Sequence, residues 1–367
     1  MIEPEPPGEV ERIAVLRAND LGDLVFALPA LEALRNMYPG AEITLLAKEW
    51  HRELVDARPG PVDRVVAVPA HRGVREDREP DARELDSFFA AMAAQRFDIA
   101  LQMHGGGRFS NTFVARLGAR ITAGSRTPDA PPLDRWVTYV YLQPELLRQL
   151  EIVGLVGARP TRLEPRLHVT EEDRRQASAH VQGAGPLVVL QPGASDPRRR
   201  WPVERFARVG DALAASGATV VVNGDASERA LAAELAGRMR HPARDLSGRL
   251  SLGGLTGVLA GARLVVSNDS GPLHLAAAVG APTVGIYWGP SAINGMLAAR
   301  RDHRPLVSFT LACPRCGTDS LRSPCDHADS HVADVPVDEV VAAARHLLGF
   351  ELEDGAALQR ALDPRAG

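Results

Sequence analysis

Apolar positions fall into two long stretches with the same rhythm, short hydrophobic runs separated by segments of helical period. Residues 12–17 (RIAVLR) form a run that ends at Ala18, Asn19 and Asp20. Leu24, Leu28, Leu31 and Leu34 then recur at intervals of three and four, which predicts a helix. Tyr38, Pro39 and Gly40 break it. Residues 42–47 and 63–68 read as strands, 82–95 as a helix and 98–103 as another strand. After residue 170 the order restarts. Residues 187–191, 219–223, 264–267 and 283–286 read as strands. A helix beginning at Pro202 carries Phe206, Val209 and Leu213 on one face and stops at Gly217; further helices span 227–239 and 272–279.

Strand, helix, strand at this spacing predicts a parallel sheet covered by helices on both faces. The expected fold class is therefore α/β, with two Rossmann-like doubly wound domains facing a central cleft. They occupy residues 12–165 and 170–349, joined by a hinge within 157–170, with no convincing sequence repeat between them. Residues 1–11 are expected to be a disordered extension and 350–367 a tail, with 355–362 packing back on the first domain. Ligands of such sheets bind at the carboxyl ends of strands. Functional residues are thus sought just after Arg17, Met103, Gln191, Asn223 and Ser267.

Composition narrows the function classes. The chain has 367 residues, more than one core usually organises. No apolar run approaches the ~20 residues that span a bilayer, and the start, MIEPEPPGEVER, lacks the features of a signal peptide. Three cysteines are too few for a disulfide framework, which fits a reducing cytoplasm. The net charge of −4 argues against a nucleic-acid partner. Lys48 is the only lysine, so nearly every cation is an arginine, suited to a planar grip on phosphate or carboxylate.

Five segments could carry chemistry. In Asn19–Asp20–Leu21–Gly22–Asp23, Gly22 permits close backbone approach, and Asp23 is either a general base or a helix cap. Asp20 is a second candidate for both roles. Asp269–Ser270–Gly271–Pro272–Leu273–His274 reads as a strand-to-helix turn or as a phosphate cradle at a helix N-terminus, with His274 able to reach the same anion. Residues 195–202 (SDPRRRWP) put Ser195 and three arginines after a strand of the same domain, in a place suited to a diphosphate. His104 and Arg108 flank three glycines, a loop that could hydrogen-bond hydroxyls or anions or could simply be flexible. Neither a dinucleotide fingerprint nor a P-loop follows any predicted strand, which disfavours a nicotinamide dehydrogenase. Cys313, Cys316, Cys325 and His327 could supply four zinc ligands. Their C-x2-C-x8-C-x-H spacing is tight, so the expectation is reduced thiols in a connecting loop and no metal.

Taken together, RIAVLRANDLGDLVFALPALEALRNMYPGAEITLLA, LQPGASDPRRRWPVERFA and LAGARLVVSNDSGPLHLAAAVGAPTVGIYWGP resemble the ADP-heptose:lipopolysaccharide heptosyltransferase family, glycosyltransferase family nine, of GT-B fold. The matching pieces appear in the family's order and cover most of residues 12–290. The resemblance implies inverting transfer of a heptose-like sugar from an ADP-sugar to a saccharide, with no cofactor or metal required. It makes Asp23 the base and puts basic Arg17 beside it. Asp269, Ser270, Gly271 and His274 match the donor diphosphate site, and Ser195 and Arg199 the phosphate-contacting loop. Glu228 matches the residue that grips the donor ribose and Leu250 an apolar contact to adenine. The first domain would hold the acceptor, a glycan or glycolipid such as the lipopolysaccharide core, and the enzyme would be cytoplasmic with peripheral contact to the inner membrane. Residues 103–111 (MHGGGRFSN) and the CPRC…CDH segment depart from the pattern of enzymes that add the first core heptose. Two alternatives stand beside this reading: a GT-B transferase with another nucleotide sugar or acceptor, and a silent nucleotide-sugar-binding protein.

Overall fold

The computed structural model describes residues 8–349, apart from Ala57, Gln182, residues 297–301 and Pro324. The chain divides into two compact units: one runs to Thr170 and includes Ile293–Gly295, and the other holds the remainder from Glu171 onward.

The first unit contains β1 (Arg12–Leu16), α1 (Leu21–Met37), β2 (Glu42–Ala47), α2 (His51–Val55), β3 (Arg64–Ala67), α3 (Ala82–Ala93), β4 (Ile99–Gln102), α4 (Ser110–Ala115), β5 (Ile121–Arg126), β6 (Arg135–Thr138) and α5 (Glu145–Gly154). Its six strands are all parallel in the order β3-β2-β1-β4-β5-β6. The order reverses between β1 and β4, so a crevice at their carboxyl ends is the expected ligand site. Ala14 and Leu16 of β1 pack with Leu46, Ala100, Phe89 and Phe113 in one core cluster. Near-continuous apolar strands of this kind require cover on both faces.

The second unit contains α6 (Glu171–Ser178), β7 (Leu187–Gln191), α7 (Val203–Ala215), β8 (Thr219–Val222), α8 (Arg229–Arg238), β9 (Arg244–Asp245), α9 (Leu252–Gly261), β10 (Leu264–Asn268), α10 (Gly271–Ala278), β11 (Thr283–Trp288), β12 (His303–Ser308) and α12 (Val337–Leu348). Between β11 and β12 the chain forms α11 (Gly289–Gly295). The strands are again parallel, in the order β12-β11-β10-β7-β8-β9, with the reversal between β10 and β7. Phe206, Val209 and Leu213 of α7 bury against Val188, Leu190, Val220 and Val222, so the face read from the sequence is the packed one.

The doubly wound class holds in both units, and the periodic segments lie within a residue or two of their expected bounds. The strands β5, β6, β9 and β12 and the helices α2, α4, α5, α6, α9, α11 and α12 were not read from the sequence. Arg135–Thr138 alternates half-buried and exposed residues at a sheet edge, and β9 has only two residues, so neither carries a continuous apolar run. The extension expected at 1–11 needs correction at its end. Glu11 N–H donates to Asp98 at 2.8 Å and Glu9 C=O accepts from Arg120 at 2.9 Å, so these residues are tied to the sheet. Residues 1–7 and the 350–367 tail, with its expected packing at 355–362, lie outside the described residues.

Candidate functional site

In the first unit the chain leaves β1 at Arg17 and enters α1 through Asp20, the N-cap residue. Arg17 is 1% exposed, yet its guanidinium is surrounded by acceptors. It lies 2.8 Å from Asp23 Oδ1 and 2.9 Å from Glu145 Oε1, and it also donates to the carbonyl of Met103 at the end of β4. Burial pulls the guanidinium below its ordinary pKa, while Asp23 pulls it back. Asp23 sits in the first turn rather than at the cap itself. Its Oδ2 accepts from the Asp20 N–H at 3.2 Å, so the capping role and a chemical role coexist. About a third of its side chain, 35%, stays exposed, and a carboxylate with lone pairs to spare can still accept a proton.

Asp20 turns outward to Lys48 at 3.2 Å, beyond the end of β2. Gly22 lies in the first turn of α1. His104, just past β4, accepts the Ala18 N–H on Nδ1 at 3.2 Å and thereby ties β4 to β1 at the reversal. Burial, reinforced by Arg17 and Lys48, pushes its pKa down to about 3, so the ring is neutral. The glycine loop behind it is anchored. Gln102 donates to the carbonyls of His104 at 2.8 Å and Gly105 at 3.1 Å, and Ser125 donates to Gly105 at 2.7 Å. Arg108 is exposed, 3.5 Å from Asp129, and takes no part in this cluster. Glu145, Arg148 and Gln102 were not anticipated. Arg148 bonds Glu145 from the next turn of α5, and only the packing of α5 on α1 marks these two out.

In the second unit, Asp269 follows β10 and anchors a network. Its Oδ2 is 3.3 Å from Arg199 and its Oδ1 is 3.1 Å from His274 Nε2, and Arg199 donates to Ser195 Oγ at 2.8 Å. Burial alone would raise the Asp269 pKa, but the bonds from His274, Arg199 and Ser291 hold it below the ordinary carboxylate value. Asp269 and His274 are each 4% exposed. The His274 Nε2 faces the carboxylate. Arg199 is half-buried and Ser195 exposed, and α10 starts with Ser270 as the N-cap and Gly271 as the first helical residue. Asn268, not singled out from the sequence, crosses the reversal, donating to Pro192 C=O at 2.7 Å and accepting from Trp201 N–H at 3.0 Å. The arginine loop is structured throughout: Arg198 pairs with Asp196 and Arg200 donates to Ala194 C=O at 2.9 Å.

Glu228 occupies the space between the ends of β7 and β8. Its Oε2 accepts from Gln191 at 3.3 Å and from Asp225 N–H at 3.1 Å. A Cβ on Gly193 would lie 1.8 Å from Glu228 Oε1, so only glycine lets the carboxylate rest there. Leu250 is half-buried just ahead of α9. Cys313, Cys316, Cys325 and His327 converge, with their ligand atoms within 4.8 Å of one another. The loop read as separate thiols is thus a four-residue cluster.

Two parallel six-stranded α/β units give the chain the GT-B fold. The family model for glycosyltransferase family 9 (heptosyltransferase) matches residues 86–296, and the chain belongs to that family. It is 26% identical over 302 residues to lipopolysaccharide heptosyltransferase 2 of Salmonella typhimurium, a match covering 76% of this chain and 83% of that protein. The structure of a family 9 glycosyl transferase from Veillonella parvula superimposes with a TM-score of 0.74 at 22% identity, covering 96% of this chain and 99% of that one. Escherichia coli heptosyltransferase WaaC, solved with ADP, gives a TM-score of 0.66 at 23% identity, covering 81% and 93%.

Proposed function

We propose that this enzyme transfers a heptose-like sugar from an ADP-sugar to a saccharide acceptor of lipopolysaccharide-core type, with inversion and without a catalytic metal. The observation that carries this reading is Arg199, fixed by Asp269 at 3.3 Å and Ser195 at 2.8 Å beside the N-terminus of α10. As the donor breaks, the anomeric carbon parts from its phosphate oxygen and negative charge grows on the departing ADP. Arg199, the Ser195 hydroxyl and the positive end of α10 stabilise that charge. Asp269 and His274 act as positioning residues behind Arg199. Glu228 would accept the ribose hydroxyls and Leu250 would cover adenine.

Asp23 supplies the other half of the chemistry. It takes the proton from the acceptor hydroxyl as the new bond forms between that oxygen and the anomeric carbon. Attack from the face opposite the departing phosphate inverts the configuration. Arg17 and the Asp20 N–H fix the carboxylate so that no rotamer search precedes proton transfer. The choice of donor is supported by the relative solved with ADP, and the acceptor class by the names of the curated relatives. A lipid-linked acceptor would be met by peripheral contact at the cytoplasmic membrane face; among the described residues no helix is long and apolar enough to cross a membrane.

Calorimetric titration with ADP, UDP and GDP, with and without EDTA, tests this reading. ADP is expected to bind at least tenfold tighter than the other two, with EDTA making no difference. Preference for UDP or GDP would keep the glycosyltransferase and discard the ADP-sugar.

A further inference from the structure

Among the described residues of the stretch from 309 to 336, between β12 and α12, there is no regular element beyond the single bridge of Ala312 with Asp319. Loops of this length in compact domains are uncommon without a function or an internal clamp. Only its end joins the core, through Val332 and Val335; its earlier part, with Leu321 and Phe309 exposed, has little core of its own. Its ordering therefore needs another source.

Its first half is a tight knuckle, Cys313–Pro314–Arg315–Cys316–Gly317. Gly317 N–H donates to Cys313 C=O at 2.9 Å and Cys313 N–H donates to Thr318 C=O at 2.8 Å. Gly317 takes a φ of +74°, which lets the chain turn sharply behind the second sulfur. The second half returns Cys325 and His327 to the same point. All four ligand atoms lie within 4.8 Å of one another, and Cys313 Sγ is 3.6 Å from His327 Nδ1. A tetrahedral zinc ion with ordinary Zn–S and Zn–N bonds needs a sulfur–nitrogen edge of about 3.5 Å and sulfur–sulfur edges of about 3.8 Å. All three cysteines are free thiols, and an odd number cannot be used up in disulfides within the chain.

We propose that Cys313, Cys316, Cys325 and His327 form a closed Cys3His site for one Zn²⁺ ion that clamps this strap to the donor-side unit. Thiolate and imidazole ligands select zinc over calcium or magnesium, and four protein ligands leave no open position, so the ion is structural. Binding exchanges the thiol protons for four metal–ligand bonds and supplies the free energy that the strap lacks.

The clamp reaches the arginine loop. Trp288 Nε1–H donates to Thr310 C=O at 2.8 Å, Thr310 C=O is 3.0 Å from His331 Nδ1, and His331 N–H donates to Arg198 C=O at 2.8 Å. Arg198 is the neighbour of Arg199. The zinc site would thus hold in place the backbone that carries the proposed phosphate contact, a consequence that rests on the proposed function, whereas the site itself does not.

The test uses the full chain, expressed with both zinc and iron in the medium and purified without chelator. Elemental analysis should find one zinc per chain. Titrating the three thiols with a mercurial, with a chromogenic chelator present, should release that zinc in full. Exchange with Co²⁺ should produce the intense visible absorption of a tetrahedral thiolate complex. Cys316→Ser, at the exposed ligand, should lose most of the metal while keeping its circular dichroism, and should bind ADP severalfold more weakly. Wild-type chain with less than a tenth of an equivalent of metal and three freely reactive thiols overturns the site. Stoichiometric iron overturns the choice of ion. Metal content and ADP affinity are separate readouts, so a chain that holds zinc but binds no ADP keeps the site and rejects the donor reading.

Discussion

Arg17, buried at the end of β1, holds the carboxylate of Asp23 at 2.8 Å across the first turn of α1. The same guanidinium nitrogen lies 2.9 Å from Glu145 on α5. One cation thereby links a sheet, the helix that follows it and a helix more than a hundred residues away in sequence. The arrangement leaves Asp23 as the partly exposed member of a buried network.

Asp23→Asn keeps one of the two accepting oxygens that face Arg17 and the Asp20 N–H and removes the proposed base. Transfer is expected to fall by about 10²–10⁴-fold, the usual contribution of a positioned base, with ADP affinity unchanged. Initial rates alongside calorimetry check it. Wild-type turnover in this variant would remove Asp23 from the reaction.

Arg17→Met removes the buried cation from the partly exposed Asp23 and leaves Glu145 with Arg148 alone. The expected cost is about 2–3 kcal/mol, below the full cost of stranding a buried charge because Asp23 is partly exposed and Glu145 keeps a partner, read as a drop in the urea unfolding free energy. A loss under about 1 kcal/mol for Arg17→Met would mean that the network contributes little.

Arg199→Ala should weaken ADP binding by roughly 10–100-fold, the range for a lost charge-assisted hydrogen bond. Arg199→Lys restores charge without the planar fork and should recover only part of it. Asp269→Asn, which leaves the arginine in place but loosens it, should raise the donor KM more than it lowers kcat. Equal affinities for all three variants and wild type would separate this loop from the donor.

Gly193→Ala drives a methyl group into Glu228, 1.8 Å from Oε1. The carboxylate must move, and ADP affinity is expected to fall about tenfold. In a Glu228→Ala background the same substitution should cost almost nothing, because the clash partner is absent. A double-mutant cycle by calorimetry gives the coupling; additive effects would refute the clash, and unchanged ADP affinity in Glu228→Ala alone would place Glu228 outside the nucleotide site.

Acid sensitivity follows from two histidines held neutral. Burial pushes the pKa of His51 down to about 4 and that of His104 to about 3. In the unfolded chain both take up protons near pH 6.5, so below that value the unfolded state binds more protons and stability falls with pH. For the fully buried His51 the slope is about 1.4 kcal/mol per pH unit, ending near its folded pKa. His51→Gln retains a donor for Lys48 C=O and should flatten the stability profile by that one proton. Urea midpoints between about pH 7 and 5 decide it: identical slopes would sink the assignment.

Much of the fold was legible because each long element carries its own periodic signal. IAVL, LVVL and TVVV are short apolar runs that only a covered parallel strand accommodates, and the α1 and α7 faces repeat at helical spacing. Edge strands such as Arg135–Thr138 carry no such run, since one side of the strand needs no burial. Candidate chemistry was legible where a distinctive residue follows a strand, as with Asp23, Ser195, Arg199, Glu228 and Asp269.

By itself the sequence determined the two doubly wound units, the strand ends at which ligands would bind and the residue types gathered there, because these depend on local period and on neighbours along the chain. The tertiary structure alone decided which of those residues face each other and which stay exposed. His274 turns its Nε2 to Asp269, Arg17 recruits Glu145 from α5, Gly193 makes room for Glu228, and four ligand atoms spread over fifteen residues close into one cluster. Side-chain partners of that kind are set by three-dimensional distance and burial, and a one-dimensional pattern carries neither.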